Sequence, residues 1–346
     1  MRILFIPVSA PTGSGEYSRS IAIAQSLRAM NGGADISFVL NRHAPYATSV
    51  PFPSVLLPSS PTFHPREVSA LIRERSPDLV VFDNAGRTAQ LRAAHESGAR
   101  VVYISSRARQ RRKAFRLKWL PLLDEHWIAW PEFMAGSLSA TERIKLRWGA
   151  RRPTVRFIDA IIPNPSAEES AHVAERYGLE PDGFTLVVPG GGGAHPGASE
   201  GPQTMAAAAL RLARRGQPTL LVGPHRLDDT AGLRHTPHLP LRDLAALMAR
   251  ARVVVANGGD TLLQALSFRR VCVAAPLAHD QENRIRHCAD VGIATGVELD
   301  DVALALAAEE LYHDGARRAQ QEARIAERPI RNDLDTAVEA LARLAA

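Results

Sequence analysis

Two cysteines in 346 residues, Cys272 and Cys288, rule out a disulfide framework, and with no CxxC or Cys/His ligand spacing they give no pattern for a structural zinc. Cys272 sits in an apolar run and reads as core. Long apolar runs are missing too. Nothing approaches the roughly 18 uninterrupted residues of a membrane span, and the N-terminal run 3–8 is too short, and lacks the cleavage pattern, for a signal peptide. Both absences point to a cytoplasmic protein. The glycine-rich turns lack the Lys and Ser/Thr of a Walker A loop, and aromatic residues make up only 5% of the chain.

What is present is a 45% hydrophobic chain, long enough for about two domains with their own cores. Strand-like runs at 2–6, 36–40, 79–83, 100–104, 126–130 and 155–161 alternate with helical periodicity, for example Ile23, Leu27 and Met30. The alternation breaks at IIPNPS, 161–166, where two prolines interrupt regular structure. It resumes with buried strands expected at 184–188, 219–222, 253–256 and 271–275. Strand followed by helix, repeated, predicts an α/β protein of two doubly wound Rossmann-like domains, with the cleft between them as the expected binding site. The boundaries drawn from this pattern are 1–163, 164–325 and a C-terminal helix, 326–346, returning to the first domain.

The net charge is +6 with pI near 9.8, which favours an anionic partner. Cations concentrate between Arg107 and Lys118. There Phe115, Trp119 and Leu122 would lie beside Arg111, Arg112 and Arg116 if the segment were helical, so these residues are expected to meet a membrane surface or an anionic acceptor. A solvated basic loop is the competing reading. Nucleic acid is not expected, because the basic run is local and lacks interleaved aromatics.

Three glycine-rich turns follow predicted strands: Gly13 to Gly15 in TGSGE, Gly190 to Gly193 ahead of His195, and Gly258 to Gly259 in VVVANGGDTLLQAL. A helix starts near each, so backbone amides and a helix dipole could face an anion there.

The run 239–294, LPLRDLAALMARARVVVANGGDTLLQALSFRRVCVAAPLAHDQENRIRHCADVGIA, resembles the nucleotide-sugar-binding half of GT-B glycosyltransferases. It is most similar to the group containing the lipid II-forming N-acetylglucosaminyltransferase, with a family 28-like C-terminal domain. That resemblance implies a transferase moving sugar from a nucleoside diphosphate sugar, expected to be UDP-linked, to an acceptor hydroxyl with inversion. It implies no metal and no cofactor beyond the nucleotide-sugar co-substrate, and leaves a lipid-linked, polysaccharide or secondary-metabolite acceptor open. The one DxD, Asp333 with Asp335, reads as a helix cap.

Carried residue by residue, the resemblance assigns base recognition to Leu241 and the diphosphate to Gly258, Gly259 and Thr261. His279, Asp280 and Gln281 fall to the sugar or phosphate. Gly13, Gly15, Gly191, Gly192, Gly193 and His195 would complete the donor site. Gln264 stands where the family has a ribose-binding glutamate. Asp260 is expected to cap its helix, and Arg284 and Arg286 either serve the leaving group or form a solvated face. The family often ends its first glycine turn in histidine. Here Glu16 takes that place, as general base or as an acid complementing the helix dipole. Arg19 would hold that carboxylate or a phosphate, and Asp83 is the reserve base. Two other readings stay open: a nucleotide-sugar hydrolase like the pseudaminic-acid-pathway enzyme, and a binding protein that has lost catalysis.

Overall fold

A computed structural model describes residues 1–11, 13–148, 152–190, 200–223 and 230–346. The chain divides into two compact units, Met1–Ile161 with Asp333–Ala346, and Ile162–Asn332. It passes from the first to the second between Ile161 and Ile162, and back between Asn332 and Asp333.

In the first unit the strands are β1 (Arg2–Pro7), β2 (Asp35–Asn41), β3 (Ser54–Leu57), β4 (Leu79–Asp83), β5 (Arg100–Ser105), β6 (Glu125–Ile128) and β7 (Thr154–Phe157). They form one parallel sheet in the order β3-β2-β1-β4-β5-β6-β7. The helices between them are α1 (Gly15–Met30), α2 (Pro65–Arg75), α3 (Thr88–Glu96), α4 (Ala108–Ala114), α5 (Glu132–Ala135) and α6 (Ala140–Trp148). In the second unit α7 (Ala167–Arg176) precedes β8 (Thr185–Val188), α8 (Gly201–Arg214), β9 (Thr219–Val222), β10 (Leu233–Thr236) and α9 (Leu241–Arg250). Then come β11 (Val253–Asn257), α10 (Asp260–Ser267), β12 (Val271–Ala275), α11 (His279–Asp290), β13 (Thr295–Gly296), α12 (Asp301–His313) and α13 (Gly315–Glu327). Its sheet is also parallel, in the order β10-β9-β8-β11-β12-β13. The last helix, α14 (Leu334–Ala345), packs against α1 of the first unit.

Parallel strands need helices on both faces, so their sequences read as unbroken apolar runs. Leu79 to Phe82 and Val253 to Val255 are fully buried for this reason. One core gathers Leu4, Val80, Phe82, Tyr103 and Trp119, the other Val187, Val255, Val273, Met205 and Leu304. Cys272 and Cys288 are both buried, and burial pushes both thiols up, that of Cys288 to about 12.

The basic segment folds otherwise than its periodicity implies. α4 is short, with its C-cap at Phe115, and both Phe115 and Trp119 point inward, each about 1% exposed. Phe115 meets His126 edge-on at 5.1 Å, and Trp119 meets Tyr103 at 5.2 Å while its Nε1 donates to Thr88 Oγ1. These rings are core, so they form no lipid-facing stripe. Arg111 is taken up by Glu142, at 2.8 and 2.9 Å, and by the carbonyls of Ala135, Gly136 and Ser137. Arg112 and Arg116 remain exposed. Asp333 stands at the N-cap of α14, but its carboxylate accepts from the Asp159 amide at 2.7 Å rather than from its own helix. Among the described residues no helix is long and apolar enough to cross a membrane.

Beneath the segment, His126 is buried and shares a 2.8 Å hydrogen bond with Ser105 Oγ. Burial first, and the Arg111 charge second, push its imidazole down to about 3. In the unfolded chain it takes up a proton near 6.5. Between those values the unfolded state binds the extra proton, so this contribution to stability is complete above about pH 6.5 and is lost as pH falls towards 3. Urea unfolding at pH 7 and pH 5 should show the native protein losing on the order of 1–2 kcal/mol from this group. His126→Asn should flatten that pH dependence. An unchanged slope in the variant would assign the acid sensitivity elsewhere.

Candidate functional site

In an open parallel sheet, ligands bind beyond the carboxyl ends of the strands where the winding reverses, because the loops on either side diverge and leave backbone ends uncovered. The first sheet reverses between β1 and β4, the second between β8 and β11.

At the first reversal, Asp83 ends β4, fully buried, and Arg19 of α1 grips it through Nε and Nη2, both at 2.8 Å. A carboxylate closed in a bidentate pair is strongly held in its charged form. Both oxygens of Asp83, the expected reserve base, thus engage Arg19, and Arg19 meets Asp83 rather than Glu16. The next residue, Asn84, adopts a left-handed backbone, φ 52°, a region asparagine tolerates better than most residues. That turn brings its amide under Glu16, where Nδ2 donates to Glu16 Oε1 at 2.9 Å and also to Ser106 Oγ, while its Oδ1 accepts from the Ser106 amide at 2.8 Å. Glu16 is the second residue of α1, in that helix's first turn. Gly13, at φ 85°, makes the turn into α1, and Gly15 is the first residue of that helix.

Two aromatic residues absent from the sequence reading stand beside Glu16. Tyr17 stacks on Tyr46, centroids 3.8 Å apart and 7° from coplanar, and the Tyr46 and Ser9 hydroxyls lie 3.1 Å apart. Burial pushes both phenols up to about 12, with Glu16 adding to the rise at Tyr46. Asn84 had a readable signal, an Asn-Ala-Gly turn directly after a buried strand. Tyr46 had none.

At the second reversal, Asn257 spans the two strand ends. Its Nδ2 donates to Pro189 O at 2.6 Å, and its Oδ1 accepts from the Gly259 amide at 2.7 Å. Gly190, at φ 107°, leaves room for that amide group. Gly258 is closed in by α11, since a Cβ there would lie 2.7 Å from Ile285 and 2.9 Å from Gln281. The protein's own packing thus requires Gly258, and Asn257 already occupies the Gly259 amide. What can still face an anion is the first turn of α10, whose amides have no intrahelical acceptor. Thr261 lies in that turn. Arg284 is buried beside it, donating to Gly258 O at 2.7 Å with Asp260 3.9 Å away. Asp260 is the first residue inside α10, and Gly259 holds the cap position.

The remaining expected residues separate. Gln281 is buried and holds the turn ahead of α11 by accepting from the Leu277 amide at 2.8 Å. Gln264 is buried in α10, and Leu241 opens α9 behind Pro240. His279 and Asp280 are exposed, the His279 side chain 98% so, with Glu282 3.6 Å away. Arg286 is exposed and bonds Asn283, which leaves Arg284 as the cation of this helix at the turn. Gly191, Gly192, Gly193 and His195 lie outside the described residues.

No protein-family model matches the sequence, and no curated protein matches it. Solved structures do. The spinosyn forosaminyltransferase SpnP is 17% identical with a TM-score of 0.66, covering 100% of this chain and 99% of that one. The glycosyltransferase SsfS6 of Streptomyces sp. SF2575, complexed with thymidine diphosphate, is 16% identical at TM-score 0.62 over 99% of each chain. A putative UDP-N-acetylglucosamine 2-epimerase from Listeria monocytogenes is 12% identical at 0.58, over 99% of this chain and 94% of that one. At such identities what is shared is architecture: this chain has the GT-B fold of two parallel-sheet α/β units.

Proposed function

We propose that the protein transfers a sugar from a nucleoside diphosphate sugar to an acceptor hydroxyl, inverting the anomeric carbon and needing no resident metal. The observation that carries this reading is the Glu16 carboxylate, oriented by Asn84 at the reversal of the first sheet. A carboxylate is a competent base when a fixed donor aims one oxygen and leaves the other available. In the proposed step the acceptor oxygen attacks the anomeric carbon and gives its proton to Glu16. The bond from that carbon to the diphosphate oxygen breaks, and both electrons leave with the nucleoside diphosphate. In the second unit, taken by itself, the first-turn amides of α10 and Arg284 are the groups that would bind the diphosphate. Uridine diphosphate is the nucleotide that the resemblance at 239–294 implies. Thymidine diphosphate, which SsfS6 holds, fits the same phosphate chemistry.

Two measurements test the halves of this reading separately. Melting temperature with uridine or thymidine diphosphate should rise, and with the free nucleosides it should not. Arg284→Gln should weaken the diphosphates about tenfold or more, the scale of one charge-assisted hydrogen bond. An undiminished diphosphate melting shift in Arg284→Gln would remove Arg284 from the phosphate site.

In turnover assays Glu16→Gln should cost about 10²–10⁴ in kcat while the diphosphate melting shift survives. Asn84→Ala should lower kcat more than it raises KM and shift the pH profile. Full activity in Glu16→Gln sinks the base assignment, and rapid sugar release without any acceptor would make the enzyme a hydrolase.

A further inference from the structure

Helix α6 buries none of its nine residues. Ile144 and Trp148, four apart and so on one face, are 48% and 84% exposed. On a helical projection Arg143 and Arg147 flank that face on one side and Lys145 on the other. The one acid of the helix, Glu142, is turned away and consumed by Arg111 of α4. Among the described residues no carboxylate pairs with Arg143, Lys145 or Arg147. Arg111 also ties the carbonyls of 135–137 to α4, directly after which Leu117, 63% exposed, stands between two more cations, Arg116 and Lys118.

Segment 107–148 holds ten Lys and Arg against four Asp and Glu, an excess of six that equals the net charge of the whole chain. The crowding is felt locally. The Lys113 ammonium is held below its usual range, first by burial and then by Arg87, Arg116 and Arg109.

We propose that the Ile144 and Trp148 face of α6 docks on a lipid bilayer carrying anionic headgroups, with Arg143, Lys145 and Arg147 on the phosphates. A basic helix with an indole and an aliphatic side chain on its free face buries the apolar pair at the headgroup boundary and holds the anionic surface with its flanks. A second copy of the chain is a poor occupant, because two-fold contact would set these cations against themselves. A nucleic-acid strand would call for successive aromatic platforms, and this face has one. The inference is independent of the sugar-transfer reading.

Co-sedimentation with phosphatidylcholine vesicles and with mixed phosphatidylcholine and phosphatidylglycerol vesicles tests it on the full chain. The protein should pellet with the mixed vesicles, should stay in solution with phosphatidylcholine alone, and should be released by salt. Trp148→Ser and the double variant Arg143→Glu, Arg147→Glu should each weaken binding about tenfold or more with an unchanged melting temperature, since all three side chains are exposed. Indifference to phosphatidylglycerol, or equal binding by Trp148→Ser, would overturn the proposal. So would light scattering that finds a dimer abolished by Trp148→Ser, or retention of single-stranded DNA in place of vesicles.

Discussion

The first unit is organised around two charges that water cannot reach, the guanidinium of Arg19 and the carboxylate of Asp83. Burying either alone costs several kcal/mol, so the pair can exist only with both partners in register, which pins α1 to the end of β4. Glu16 lies three residues before Arg19, about one helical turn, and Asn84 is the residue after Asp83. The two members of the ion pair therefore carry the two members of the Glu16 and Asn84 contact on their immediate neighbours. Fixing one fixes the other. A polar contact at the half-buried Glu16 gains its geometry from a buried one that has no freedom to drift.

The second unit meets the same topological problem with neutral groups. Where its sheet reverses, Asn257 closes the gap by donating to one strand end and accepting from the turn beyond the other. Gly190, Gly258 and Gly259 are small because Asn257, Ile285 and Gln281 occupy the space a side chain would need. Glycine at a βα turn is thus compatible with two causes, approach of a ligand and approach of the protein itself, and here the second suffices. At this corner the first turn of α10 and the buried Arg284 stand beside the glycines.

Strands β1, β2, β4, β5, β8, β9, β11 and β12 were legible because burial on both faces makes each a mostly apolar run, with polar residues such as Asp35, Asp83, Thr185 and Thr219 chiefly at the strand ends. The unread strands are β3, β10 and β13. LRHT of β10 carries one apolar residue in four, and β13 has two residues in all. Glu16 was visible as a departure from a known turn, whereas Asn84 became meaningful only once the sheet set β4 beside β1. The segment around Phe115 shows the reverse failure. Spacing reveals that residues share a face but not which face meets water, so rings assigned to the surface lie in the core, while Trp148, with the same type of spacing from Ile144, stands outside.

The two crossings of the chain bear on how the molecule is made. α14 packs against α1, the helix that carries Glu16 and Arg19, yet it emerges from the ribosome only after all of the second unit. Co-translational folding cannot finish the two units in turn. The first must wait, the helix that carries Glu16 and Arg19 short of one neighbour, through the synthesis of residues 162–332.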